Sequence, residues 1–167
     1  SGNHADQSDW QLLADHLDSV GFLAAGFAAF FSATELARVA GLLHDLGKYS
    51  AEFQLRLTGD YRRVDHSTWG ARIARERYGS LGKLLAFGIA GHHAGLANGR
   101  DPGERTALND RLSANLPRLS PAWLDEIVLP AQNTLPAPAG FRVCRGRTQF
   151  QLAFLGRMIF SCLVDAD

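Results

Sequence analysis

Thiols, lysine and long apolar runs are all scarce in this chain of 167 residues. Cys144 and Cys162 are its only cysteines, they have no CxxC spacing, and no leader-like segment precedes them. A disulfide framework is thereby excluded, and a reducing, cytoplasmic setting is expected. Lysine occurs only at Lys48 and Lys83, and Lys plus Arg equals Asp plus Glu at 17 each, so the formal net charge is zero. No polybasic field marks the chain as a whole for nucleic acid or an acidic membrane, although arginine, which carries nearly all the positive charge, suits bidentate phosphate contacts. The longest apolar stretch, Gly21 to Phe31, falls well short of the roughly 20 residues needed to span a bilayer, and reads as a buried helix. Repeats, low-complexity blocks and a convincing alternating strand pattern are missing too. With 46% hydrophobic residues, the length suits one domain over 1–167 with a substantial core. Residues 1–5 resemble an added tail, and the helical pattern running to the last residue reads as a domain excised from a longer protein.

What is present is helical periodicity. Ser8 is placed to cap a first helix carrying Trp10, Leu12, Leu13, Leu17 and Val20. Ser32 and Glu35 have capping-box spacing ahead of Leu36, Val39 and Leu43, with Gly47 as the stop. Ser50 opens a short helix with Phe53 and Leu57. Further helices are expected at about 67–78 (stopped by Gly79), 81–94 (stopped by Gly95), 104–114, 121–128 with Ser120 as cap, and from Thr148 to the end. Residues 129–147 read as a long irregular connection. The expected fold class is all-α.

Several polar side chains fall on the apolar faces of these helices. His16 stands at helical spacing from Leu12, Leu13 and Val20, and Asp165 follows Phe154, Met158 and Cys162. His44 sits over Ala37, Ala40 and Gly41, with Asp45 beside it, and the His92-His93 pair sits over Gly88, Ile89 and Ala90. A buried carboxylate needs a proton or a cation, and small residues beneath a polar pair leave room for an ion. His66 adds a fifth imidazole site at a helix edge. Imidazole and carboxylate without cysteine favour Mn, Fe, Co, Ni or Zn over a structural zinc cage. These groups are too many for one ion, but a carboxylate at Asp45 can bridge two. A pair of ions about 3.5–4 Å apart clamps the attacking and leaving oxygens of a phosphate displacement.

The order His16, His44-Asp45, His66, His92-His93, Asp165 resembles the HD superfamily of metal-dependent phosphohydrolases. More narrowly, "HDLGKYSAEFQ", "DHSTWGA", "GHHAGL" and "SCLVDAD" resemble the HD nuclease domain of the CRISPR-associated Cas3 family, over nearly the whole chain. The resemblance implies an all-helical HD bundle with a central dinuclear centre that cleaves the backbone of single-stranded DNA. It implies that His16, His44, Asp45 and Asp165 hold one divalent ion and that Asp45, His66, His92 and His93 hold the other, with Asp45 and Lys48 catalytic. Lys48 would lie near the scissile phosphate, where an ammonium neutralises charge building on the phosphoryl oxygens. Ser67 would contact the substrate or cap a helix, and Asp65 would orient an imidazole or begin a helix.

The implied partners are single-stranded DNA, a superfamily 2 helicase domain or subunit, and a Cascade-type effector complex. The chain itself has no Walker A motif. For the DNA strand, Arg62, Arg63, Arg142, Arg145 and Arg147 are candidates to follow the backbone, and Tyr49 or Trp69 to stack a base. Two other functions share parts of this pattern. A nucleotide phosphohydrolase acting on dNTPs or cyclic nucleotides would need a closed base-reading pocket, and a scaffold domain would use the ions only as staples.

Overall fold

The computed structural model describes residues 10–59, 62–100 and 106–167. Ser8 lies outside them. Helix α1 (Leu13–Ala28) runs into a 3-10 turn at Ala29–Phe31, and α2 (Thr34–Leu43) follows. Ser32 does not cap α2. It takes φ 58° at the end of the 3-10 turn, and α2 starts from Ala33 without a side-chain cap. A residue committed to this reversal is not in the extended conformation that an N-cap requires.

Helix α2 is the centre of the molecule. Leu36, Ala37 and Val39 through Leu43 are all buried, so the helix is covered over most of its surface, by α1, α4 and α7, with Glu35 and Arg38 half-buried. Its crossing with α1 is unusually close. A Cβ on Gly41 would lie 2.5 Å from the Gly21 Cα, an approach that only glycine at 41 permits.

A second 3-10 turn, Leu46–Tyr49, leads to α3 (Ala51–Leu57), where Ser50 Oγ accepts the Phe53 amide at 3.3 Å as expected of a cap. Helix α4 (Thr68–Gly91) breaks at Gly79, whose φ of 56° and ψ of −122° mark the expected boundary between two helical stretches. Helices α5 (Leu108–Ser113) and α6 (Trp123–Glu126) are shorter than the expected 104–114 and 121–128, and α7 (Thr148–Ala166) closes the bundle.

Residues 129–147 carry no helix or strand, yet they are tied down. Pro130 O accepts from Arg77 Nε at 3.1 Å and from the Tyr78 hydroxyl at 2.9 Å, which pins the segment to α4. The inward stripe of α7 is Leu155, Ile159, Cys162 and Leu163. Burying each such aliphatic side chain contributes about 1.5–3 kcal/mol. The protein is an all-α bundle, and among the described residues there is no strand and no helix long and apolar enough to cross a membrane.

Candidate metal centre

Both adjacent polar pairs sit where a helix stops. Helix α2 ends at Leu43 with His44 as its C-cap, and α4 ends at Gly91 with His92 as its C-cap. Each ring folds back on a carbonyl three residues earlier: His44 Nδ1 lies 2.7 Å from Gly41 O, and His92 Nδ1 lies 2.7 Å from Ile89 O. Terminal helix carbonyls lack intrahelical donors, so each ring satisfies one by donating from Nδ1. That donation fixes the tautomer and leaves the Nε2 lone pair facing inward. Past the helix end, the next residue no longer follows helical spacing. Asp45 and His93 can therefore reach the same centre as their neighbours.

The Asp45 carboxylate divides its two oxygens between two groups. Oδ2 lies 3.4 Å from His44 Nε2 and 3.7 Å from His16 Nε2, while Oδ1 lies 3.3 Å from both His66 Nε2 and His92 Nε2. The first set is completed by Asp167 Oδ1, 3.2 Å from His44 Nε2 and 3.4 Å from His16 Nε2. The second is completed by His93, whose ring centre is 4.0 Å from that of His92 and 5.1 Å from that of His66. Within each set of four, one potential ligand atom per residue lies within 4.8 Å of the others. His44, Asp45 and His92 form the buried floor, and His93 and Asp167 stand at the exposed mouth.

Both sets suit divalent cations. Asp45 Oδ1, His66 Nε2 and His92 Nε2 are buried and have no hydrogen-bond partner, and leaving such atoms unmet costs about 1–3 kcal/mol each. All three can act as acceptors, all face one point, and an ion there would satisfy them together.

The electrostatics agree with this division. Burial opposes a charge on His44, but the carboxylates of Asp167 and Asp45 outweigh it and raise its pKa to about 9. Asp167 and then Asp45 raise His16 in the same direction. Burial also works against the Asp45 charge, yet His16, His44 and His92 hold its carboxyl far below the usual range, and His16 and His44 do the same for Asp167. In the second set, burial lowers both His66 and His93. Three imidazoles there share a single carboxylate.

One expected residue is replaced. Asp165 is exposed and takes no part in either set, and Asp167 stands in its place. The expectation followed a stripe through Phe154 and Met158, but Phe154 is 57% exposed. The stripe that turns inward is Leu155, Ile159 and Leu163, and the next step of four reaches 167. A sequence signal for Asp167 was therefore available in the phase of that stripe.

The remaining candidates divide. The Lys48 ammonium pairs with Asp45 Oδ2 at the edge of the first set. Ser67 is buried, and its hydroxyl accepts from Arg111 Nη2 at 2.9 Å and lies 3.4 Å from Asp65 Oδ1, so it belongs to a side-chain network. Nor does Ser67 cap α4. Asp65 does so, accepting the Ser67 and Thr68 amides at 3.1 and 3.0 Å, while its other oxygen accepts the Thr68 hydroxyl at 2.6 Å.

Neither aromatic candidate is free to stack a base. Tyr49 is buried and donates to Glu126 at 2.5 Å, and Trp69 donates to Pro117 O at 2.6 Å with the Arg72 guanidinium 5.1 Å above its ring. Arg63, Arg142, Arg145 and Arg147 are exposed. Arg111, which the sequence did not single out, is central to the Asp65 network; it stands in a short polar helix with no motif around it.

Comparison with known proteins places residues 13–122 in the HD domain family. No curated protein matches the chain. The matched stretch covers more than half of the sequence and includes His16, His44, Asp45, His66, His92 and His93, and on that ground the chain belongs to the HD family of metal-dependent phosphohydrolases.

Proposed function

We propose that this protein is a two-ion nuclease that cleaves the phosphodiester backbone of single-stranded DNA, working in type I CRISPR interference beside a superfamily 2 helicase and a Cascade-type complex. The observation that carries the reading is the divided Asp45 carboxylate, with one oxygen toward His16 and His44 and the other toward His66 and His92. The narrower choice of substrate and partners rests on the resemblance of "HDLGKYSAEFQ", "DHSTWGA" and "GHHAGL" to the nuclease of that system.

In this reading His16, His44, Asp45 and Asp167 hold one divalent ion, and Asp45, His66, His92 and His93 hold the other, with Mn, Fe, Co, Ni and Zn as candidates. Such ions supply Lewis acidity, which makes a water more acidic and polarises a phosphoryl oxygen. The chain's own residues supply position and charge. Asp45 sets the separation of the two sets. His44 and His92 arrive with their rings already oriented by Gly41 O and Ile89 O, and a cation at the first set would take the place of the proton that Asp167 and Asp45 favour on His44. Lys48 brings an ammonium to the edge of the centre, where it offsets charge on the phosphate. No protein nucleophile is required.

The test is elemental analysis joined to cleavage of a single-stranded oligonucleotide with Mn, Fe, Co and Ni, alongside dNTPs and cyclic dinucleotides. The expected result is metal-dependent cutting of the oligonucleotide with little sequence preference. In Asp45→Ala both ions are lost and the rate falls by at least about a thousandfold, the upper range for removing one electrostatic group from an active site. Faster turnover of nucleotides than of the oligonucleotide would move the function to a nucleotide phosphohydrolase. An Asp45→Ala protein that keeps its ions and its rate would overturn the mechanism.

A further inference from the structure

We propose that Arg111 is a positioning residue for the second set, one guanidinium that holds together the two chain segments carrying His66, His92 and His93. The inference rests on reading that set as an ion site.

Its hydrogen bonds go to two places. On the His66 side, Nη2 donates to Asp65 Oδ2 at 3.0 Å, to Ser67 Oγ at 2.9 Å and to Thr68 Oγ1 at 2.8 Å, and Nε donates to Thr68 Oγ1 at 3.1 Å. These partners bracket His66 on both sides in sequence. On the other side, Nη1 donates to Ala90 O at 2.5 Å, two residues before His92.

That carbonyl is free because α4 is ending. The Ala94 amide, its helical partner by spacing, bonds Gly91 O at 2.9 Å instead, and Ile89 O faces the His92 ring. Arg111 thus completes the same helix end that orients His92. None of these hydrogen bonds reaches the chain around His16, His44 or Asp167.

Helix α5 gives the guanidinium a fixed base. Leu108 and Leu112 are buried, and the Leu108 and Asn109 amides donate to Asn98 O at 2.9 Å and Gly99 O at 3.1 Å. Stability alone does not account for so focused a set of donors. The Asp65 side chain is 40% exposed and that of Arg111 is 20% exposed, so water screens the ion pair and leaves it a small part of the fold's stability. What the fork provides is geometry, since a planar guanidinium spreads its donors over three nitrogens in a fixed plane, whereas a lysine ammonium offers three donors from a single atom on a flexible stem.

The experiment is a titration of the full chain with Co2+, following both calorimetric heat and the visible absorption of the bound ion. The step belonging to the second set is assigned by its absence from His93→Ala. In Arg111→Ala the second-set step is expected to weaken by about 10- to 100-fold, the range seen when a group that orients a ligand is removed, while the first-set step and the far-ultraviolet circular dichroism stay as in the wild type. Arg111→Lys keeps the charge but loses the rigid fork, so it should fall between the two. Unchanged second-set affinity in Arg111→Lys and Arg111→Ala would overturn the positioning role, as would equal weakening of both steps. A wild-type chain that binds no Co2+ would instead bring down the ion-site reading, and this inference with it.

Discussion

The two halves of the centre solve opposite problems. The first set draws on α1, the end of α2 and the end of α7, and its atoms compensate one another: two imidazoles meet two carboxylates at 3.2–3.7 Å. The second set brings three imidazoles to one carboxylate, and although His66 Nε2 and His92 Nε2 each lie 3.3 Å from Asp45 Oδ1, none of these three buried atoms has a hydrogen-bond partner. A cation entering the first set replaces interactions that already exist. A cation entering the second relieves atoms that folding has left unsatisfied, and it should stabilise the protein more. The largest effects are therefore expected from paired removals. His92→Ala should abolish the second-set ion and most of the rise in Tm that Mn2+ produces. Asp167→Ala should lose the first-set ion and leave most of that rise in place. Both should slow oligonucleotide cleavage by at least about a hundredfold, whereas Asp165→Ala should match the wild type in ion content and rate. Equal losses of the Tm rise in His92→Ala and Asp167→Ala would remove the asymmetry.

The comparison can be sharpened through the backbone, because a different glycine underlies each half. Gly41 lets α2 cross α1 closely enough to bring His16 toward His44, and a Cβ there would lie 2.5 Å from the Gly21 Cα. Gly47 lets the 3-10 turn press against the segment before α4: its amide donates to His66 O at 2.8 Å, and a Cβ would lie 2.4 Å from that same oxygen. Backbone cannot rotate away as a flexible side chain can, so alanine at either site should cost about 1–3 kcal/mol. In a chain of this size that lowers Tm by about 2–4 °C per kcal/mol in differential scanning calorimetry. The Tm losses should be alike, but the ion losses should not. Gly41→Ala should weaken the first set and Gly47→Ala the second, as read by Co2+ titration.

This division also explains what could be seen in the sequence. The helices, the break at Gly79 and the Ser50 cap follow from local periodicity and local chemistry, and so they were legible. His44-Asp45 and His92-His93 stood out as pairs, but the reason they work was not visible. Both helices stop one residue before the pair, and each first histidine closes a carbonyl of its own helix. The phase through Phe154 and Met158 points to Asp165, whereas the phase through Leu155, Ile159 and Leu163 points to Asp167; both are written in the sequence, and packing against the rest of the bundle selects the second. Arg111 was illegible for a plainer reason. Its partners at Asp65, Ser67, Thr68 and Ala90 lie 21 to 46 residues away, and no local pattern encodes a contact at that range.

Lys48 offers the smallest and most discriminating test of the two-set comparison. Its ammonium pairs with Asp45 Oδ2, the oxygen that faces the first set, while Oδ1 on the second side has no such partner. A cation bound in the first set must share that oxygen with the lysine or displace it, so removing the ammonium should not weaken ion binding there and should slightly strengthen it. Turnover should move the other way, because the same charge offsets the build-up on the phosphate. Lys48 is partly exposed and its charge is screened, so the expected loss is about tenfold, below the roughly hundredfold to thousandfold range for a preorganised electrostatic donor. Lys48→Ala should thus bind the first-set ion at least as tightly as the wild type in Co2+ titration, bind the second-set ion equally, and cut the oligonucleotide about ten times more slowly. A parallel fall in first-set affinity and rate would mean that the lysine supports the ion site and does not act on the substrate.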